Sequence, residues 1–405
     1  MIQKAAQHPT RAARLRHFGG VLLAVSLLAA SVGCGRKEAD APGSVTPIRL
    51  GEFSSLTGRE AGLGQYTHMG VQLALEDLAA AGGVLGRPVE VVVEDTQSKA
   101  GESATIVRKL TSRDHVVAII GEGASGRCLE GAPIAQAAGV PVVSPAATNP
   151  KVTEVGDQIF RVCFTDPFQG TVMATFARRS LKVKRVGLLV DVGASYSVGL
   201  ADHFRQRFIA DGGEIVADQR FSGGDKDLRA QLTAIKAASP DAIFAPCYYG
   251  DAGLVLLQAR QLGITVPMLG GDGYEAPELV EIAGKAAEGA CFPVHFSVDS
   301  TEARSRRFVE RFTARFQKAP TGVSALGYDA VMLIADAIRR AGSAESRAIR
   351  DALAATKDFD GVTGMITIDA HRDARKPAAI IRVQDGRFRF VETVAPGPQG
   401  ARAAP

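Results

Sequence analysis

Short apolar runs alternate with longer amphipathic runs over most of this chain, and no other feature narrows its fold as far. The stretch Val116 to Pro150, VVAIIGEGASGRCLEGAPIAQAAGVPVVSPAATNP, shows the alternation most clearly. Its apolar run Val116–Ile120 ends in a glycine-rich turn, and a helical pattern opens right after Ser125. A second apolar run, Val140–Val143, ends in Ser144-Pro145-Ala146-Ala147-Thr148. Strand, loop, helix, strand, loop is the order of a parallel sheet, so the two loops are expected side by side at one sheet edge. Both carry small residues, hydroxyls and free backbone N–H groups, and one stands at a helix N-terminus. Such an edge suits a small anion like a carboxylate.

The pattern on either side extends this reading. Upstream it gives a strand at Ile48–Phe53, a loop over Ser54–Gly64, a helix at Gln65–Ala81 stopped by Gly82-Gly83, a strand at Val89–Glu94 and a helix at Ser98–Ser112. Ile159–Phe164 reads as a strand leading out of this unit, after which the pattern restarts. Helices 167–180, 197–211, 225–238, 251–262 and 276–284 alternate with strands Arg185–Val190, Glu214–Arg220, Ala242–Ala245, Val266–Leu269 and Gly289–Phe296. The expected class is therefore α/β, with two doubly wound parallel-sheet units of similar size and no sequence repeat between them. After Ser297 the character turns helical, with Phe308, Phe312 and Phe316 on one stripe, Tyr328, Val331, Ala335 and Ile338 on another, and a third helix over 345–355. Both read as packing stripes. Strands at Gly364–Ile368, Ala379–Val383 and Phe388–Val391 close the chain, with Asp385-Gly386 as a hairpin turn. Residues 394–405 read as a disordered tail.

Residues 1–33 stand apart from this pattern. They carry Lys4, Arg11, Arg14 and Arg16 and no acid, then the apolar run Val21–Ala30, then Ser31-Val32-Gly33 before Cys34. A basic front, a short apolar run and small residues read as an export signal. The run is shorter than the roughly 20 residues a membrane-spanning helix needs. Cys34 resembles the lipidated first residue of a bacterial lipoprotein, although Ser31 stands where such signals prefer Leu. The expectation is a periplasmic, lipid-anchored protein with residues 34–47 as its tether. Removing residues 1–33 removes four of 47 basic residues and none of 43 acids, which leaves 43 of each and a net charge of zero. The basic balance belongs to the signal, so nucleic acid is not an expected partner. Cys128, Cys163, Cys247 and Cys291 lack CxxC spacing, so zinc is unsupported; they are either disulfides of an exported protein or buried thiols.

Gly121-Glu122-Gly123-Ala124-Ser125-Gly126 fits the G-x-G-x-x-G dinucleotide pattern, but the following strand ends Val142-Val143-Ser144-Pro145 with no acid for a ribose. A nucleotide cofactor is therefore not expected, nor is any other. Catalytic signatures (G-x-S-x-G, H-E-x-x-H, a Walker loop) are missing as well, and His68, His115, His203, His295 and His371 are scattered without ligand spacing. Neither a catalytic nor a metal site is expected. The second unit instead offers loops at its strand ends: Asp191–Ser197, Pro246–Asp251 and Gly270–Tyr274. Open α/β sheets bind ligands at such ends. Hydroxyls and N–H groups on one side, with an acid and tyrosines on the other, fit a small zwitterion such as an amino acid.

The succession TG (57–58), GGVLGRPVEVVVED (82–95), IIGEGAS (119–125), GVPVVSPAATNP (139–150), Phe160-Arg161, YSVG (196–199), CYYGDAG (247–253) and GGDG (270–273) resembles the leucine/isoleucine/valine-binding family of periplasmic solute-binding proteins. The resemblance runs from about Ile48 to Val383, and SPAATNP is its most specific piece. It implies a type I periplasmic-binding-protein fold, in which two α/β lobes joined by a three-segment hinge close over a ligand that passes to an ABC importer permease. Residues 48–164 with 298–361 would form the N-terminal lobe, and 165–297 with 362–393 the C-terminal lobe. The resemblance further implies that Ser125 and Thr148 bind the ligand carboxylate through hydroxyl and N–H. Ala146 would offer its carbonyl to the ammonium and Asp272 would pair with it, where the family commonly has Glu. Tyr196 and Tyr248 would form the opposite wall, and Leu63 would touch the ligand side chain.

Each of these residues also fits a plainer role. Ser125 fits as a helix cap, Thr148 and Asp272 as turn residues, Tyr196 and Tyr248 as packing, and Leu63 as core. The family's disulfide between the segments near Gln97 and Ala124 has no cysteines here, which leaves the specificity open. Two alternatives stand beside transport: a sensor of the same fold that reports to a signalling partner, and a binder of amides or other small solutes.

Overall fold

The computed structural model describes residues 46–395; the export signal, Cys34, most of the tether and the C-terminal tail lie outside the described residues. Along the chain come β1 (Ile48–Ser54), α1 (Ala61–Ala80), β2 (Val89–Asp95), α2 (Glu102–Ser112), β3 (Ala118–Ile120), α3 (Ser125–Ala138), β4 (Val142–Ser144), α4 (Lys151–Glu154) and β5 (Ile159–Arg161). The five strands pair in the order β2-β1-β3-β4-β5, all parallel. This is the doubly wound order, with its switch point between β1 and β3. Strands β3, β4 and β5 are buried along their whole length, as expected of apolar runs covered by helices on both faces.

The second unit repeats the plan. It runs α5 (Asp166–Arg179), β6 (Arg185–Asp191), α6 (Ser195–Ala210), β7 (Glu214–Phe221), α7 (Arg229–Ala237), β8 (Ala242–Phe244), α8 (Tyr249–Gln261), β9 (Met268–Leu269), α9 (Pro277–Ala283) and β10 (Cys291–Val294). The strand order β7-β6-β8-β9-β10 has the same doubly wound form. The chain then forms α10 (Ala303–Phe316), α11 (Gly322–Ala341), α12 (Ser346–Ala354) and a small sheet of β11 (Phe359–Gly361), β12 (Gly364–Ile368) and β13 (Ala374–Arg375). It ends with β14 (Ala378–Gln384) and β15 (Arg387–Val394), which extend the second sheet antiparallel beside β10. Helices α10 and α11 pack back onto α1, so the chain passes between its lobes after β5, after β10 and before β14. The Asp385-Gly386 hairpin turn is present, with both residues at positive φ (52° and 68°), the geometry of a tight two-residue hairpin. The Phe stripe is core packing: Phe308 and Phe312 are buried, and Phe308 meets Tyr328 edge-on at 5.3 Å.

Several boundaries depart from the pattern reading. Helix α1 begins at Ala61, so Leu63 sits in a helical turn and not in the expected loop. Gly62 and Gly64 lower the intrinsic helix signal there, yet both are needed for close approach. A Cβ on Gly64 would lie 2.0 Å from the Ser55 carbonyl oxygen. Helices α2 and α7 start four residues later than expected, at Glu102 and Arg229, and strand β5 stops at Arg161 instead of Phe164. Cys128, Cys163, Cys247 and Cys291 are all buried free thiols, so of the two readings the unbridged one holds. Burial, aided by the nearby Glu122, pushes the Cys128 thiol up to about 12.

Candidate functional site

The loops after β3 and β4 emerge side by side, as expected from the register Ile120–Val143 between those strands. Three features fix them. Ser144 Oγ donates to the Glu122 carbonyl (2.9 Å) and accepts from the Ala147 N–H (3.0 Å). Ser125 Oγ accepts from the Asn149 N–H (3.2 Å), which ties the two loops together. Arg161 is fully buried beneath the second loop; it donates to the carbonyls of Ala147 (2.5 Å) and Asn149 (2.9 Å) and pairs with Asp373 (2.8 Å). Ser125 does not cap its helix: the cap position is Ala124, with no side-chain bond. Its backbone N–H is at the start of α3, among the donors a helix leaves unpaired.

The G-x-G-x-x-G loop is held by its own acid. The Glu122 carboxyl folds back onto its own loop, accepting from the N–H of Gly123 (3.1 Å) and from Ser55 and Thr96 hydroxyls (both 3.0 Å). The carboxyl thus takes up the Gly123 N–H of the glycine loop. Its complete burial pushes it up to about 7, although the hydroxyl and N–H donors pull the other way.

Across the cleft, the loops after β6 and β8 flank the second sheet's switch point and deliver Tyr196 and Tyr248, whose rings stack at 5.0 Å and 23°. Tyr196 Oη accepts from the Gly273 N–H (3.0 Å) and lies beside the Asp272 carboxyl. The Tyr248 phenol reaches the first lobe, where its oxygen lies against the Ser125 N–H. Asp272 opens a single helical turn after β9; it is buried, and its Oδ2 meets His295 Nε2 at 2.9 Å. A carboxylate only accepts, so Nε2 carries the proton. Burial holds the imidazole below its ordinary value against the pull of Asp272, so His295 stays neutral near pH 7. Phe164 stacks on its ring. Asp272 Oδ1 is buried without a well-formed hydrogen bond.

The structure therefore brings Ser125, Thr148, Tyr196, Tyr248 and Asp272 to one cleft. Thr148 is fully buried; its carbonyl accepts from the Asp166 N–H (2.9 Å), and its hydroxyl lies by the Asp166 carboxyl without a well-aligned bond. Ala146 lies on the same loop and faces Gly123, where an added Cβ would stand 3.5 Å from the Ala146 Cβ. Leu63 is buried in the first turn of α1, where the recorded cross-cleft bond is to Tyr249 and not to the Tyr196–Tyr248 pair. Asp166, Gln169 and His295 are absent from the sequence reading of the site. Gln169 joins the Asp166 carboxyl (2.8 Å) to the Asp272 N–H (3.2 Å). Burial, reinforced by the nearby Asp272 charge, raises Asp166 to about 7. Asp166 and His295 stand just past the ends of β5 and β10, so a survey of every strand end would have found both. Two hollows of about 580 and 470 Å³ lie around the later crossover segments; none of the seven candidate residues lines either, and His295 lines the larger.

The periplasmic binding protein family matches residues 47–387. The chain is 29% identical over 332 residues to the leucine-, isoleucine-, valine-, threonine- and alanine-binding protein of Pseudomonas aeruginosa, covering 81% of this chain and 87% of that one. Among solved structures it is similar to the leucine binding protein LivK of Thermotoga maritima, at 40% identity and a TM-score of 0.83, covering 86% of this chain and 99% of that one. It is also similar to the branched-chain amino acid transporter substrate binding protein LivJ of Streptococcus pneumoniae, solved in complex with isoleucine, at 36% identity and 0.83, covering 87% and 100%. Two doubly wound lobes facing each other across a polar cleft, matched along nearly all their length, lead to one conclusion: the chain belongs to the periplasmic binding protein family.

Proposed function

We propose that this protein is the extracytoplasmic binding component of an ABC importer and captures a branched-chain or related amino acid between its lobes. It performs no chemistry on the ligand. The observation that carries the reading is the pairing of an N–H and hydroxyl edge, Ser125 and Thr148, with a buried carboxylate opposite, Asp272, whose Oδ1 lacks a well-formed bond. The ligand carboxylate would take the Ser125 and Thr148 donors and displace the Tyr248 phenol from the Ser125 N–H. The ammonium would lie between the Ala146 carbonyl and Asp272. Tyr196 and Tyr248 would wall the side chain from one lobe, and Leu63 from the other. An ion pair shielded by closure is stronger than the same pair in water, so capture and closure reinforce each other. In this reading 48–164 with 298–361, and 165–297 with 362–393, are the moving bodies. Cys34 carries the lipid that keeps the protein at the membrane beside its permease partner.

A thermal-shift panel of the common amino acids and short amides tests this, read by dye because the chain has no Trp. A ligand at about a hundred times its Kd adds ~2.7 kcal/mol of stability. The expected result is a rise with one amino-acid class that is lost in Asp272→Ala. No rise with any amino acid removes the assignment. A rise that survives the substitution moves the ammonium site away from Asp272.

A further inference from the structure

We infer that Tyr249 and Glu275 act as cross-lobe caps on the N-termini of α1 and α11, setting ligand affinity without touching the ligand. The inference rests on the binding reading above for its effect on affinity, though not for its geometry. A helix leaves its first N–H groups without partners, and a side chain of its own usually meets one of them. Helix α1 has no such side-chain cap and no acid in its first turn. The N–H of Gly62 donates instead to Tyr249 Oη of the second lobe (2.9 Å), and that hydroxyl donates onward to the Arg59 carbonyl (3.3 Å). Helix α11 has a capping box, but Thr321 and Ser324 use it on each other. Its first N–H, at Gly322, donates to the Glu275 carboxyl of the second lobe (2.7 Å).

Both capped positions are glycine, for a steric reason visible at each. A Cβ on Gly62 would stand 2.9 Å from Tyr249 Oη, and one on Gly322 would stand 2.4 Å from Glu275 Oε2. The two helices also form one body. They pack along each other through Gly70 and Gly327, where a Cβ would meet the Ser324 and Thr67 carbonyl oxygens at 1.9 and 2.4 Å. Both caps therefore close on a single rigid target. Arg59, in the turn that Tyr249 holds, also reaches toward Asp191 and Asp251 of the second lobe, each at 3.9 Å. Each contact joins one lobe to the other, so in this inference each favours the closed state. A bias toward the binding-competent state raises apparent affinity for every ligand equally.

The test uses Tyr249→Phe, which keeps the ring and removes the hydroxyl, together with Glu275→Ala and the double variant. Binding of L-leucine, L-isoleucine, L-valine and L-alanine is measured at equilibrium and as dissociation rate, and amide hydrogen exchange of the segments around Gly62 and Gly322 is followed without ligand. Each single variant is expected to weaken binding roughly tenfold, the scale of one buried hydrogen bond. The loss should fall in the dissociation rate with the ligand ranking unchanged, and exchange should quicken at the uncapped glycine only. Unchanged dissociation and exchange, or a changed ligand ranking, overturns the inference. If the wild type binds none of the four, the binding reading fails separately and exchange alone decides the caps: faster exchange supports them and equal exchange overturns them.

Discussion

The two lobes share a strand order and differ in what their strand ends are made of. In the first lobe the edge is built from backbone groups, hydroxyls and small residues, held from beneath by the buried Arg161. In the second, stacked aromatics fill the same topological position, with Tyr196 and Tyr248 at the switch point and Phe204 against Phe244 at 3.9 Å behind them. The physical consequence is a division of labour. Backbone donors are fixed in direction and suit an anion of constant shape. A pair of stacked rings presents a broad apolar face that accepts side chains of different shape. The first lobe therefore suits the part common to all amino acids and the second the part that moves during closure.

Breaking the first lobe's edge has the largest expected effect. Arg161→Ala takes the ion-pair partner from the buried Asp373 and frees two loop carbonyls, and removal of one partner of a buried pair costs about 3–5 kcal/mol. Denaturant unfolding should show this loss, with ligand response abolished even where the protein stays folded. The matching change in the second lobe is milder. Tyr196→Phe keeps the stack and leaves the Gly273 N–H without its acceptor and the Asp272 carboxyl without the phenol beside it, a cost of about 1–3 kcal/mol. A larger loss for Tyr196→Phe than for Arg161→Ala would refute the division drawn here. The smallest effect depends on pH. Glu122 titrates near 4.5 unfolded and about 7 folded, so the native protein keeps a proton over that range which the unfolded chain gives up. Its contribution is complete below 4.5 and is lost as pH rises through 7. Glu122→Gln should leave the Tm nearly unchanged at pH 5 and raise it relative to wild type at pH 8. Parallel pH profiles for the two proteins would contradict this.

Legibility followed the same division. The Ser125 and Thr148 edge could be read because its geometry follows from a local order of strand, loop and helix within one stretch of chain. Asp272 could be read as an acid at a strand end, but not its partner His295, 23 residues away, nor Gln169, 103 residues away. Tyr249 sits beside Tyr248 in the chain, yet Tyr248 turns to Ser125 while Tyr249 turns to Gly62. No periodicity distinguishes the two.

By itself the sequence determined the α/β class, the succession of elements, the packing role of the Phe308–Phe312 stripe and the Asp385-Gly386 hairpin. These depend on hydrophobic period and turn chemistry, which act over a few residues. Tertiary structure alone decided where α1 begins, that all four cysteines in the described residues stay unbridged, and that Glu122 fills its own glycine loop. It also decided which acids lie around the candidate cleft. Those outcomes depend on burial and on contacts between residues far apart in the chain, where desolvation and steric approach outweigh any local preference.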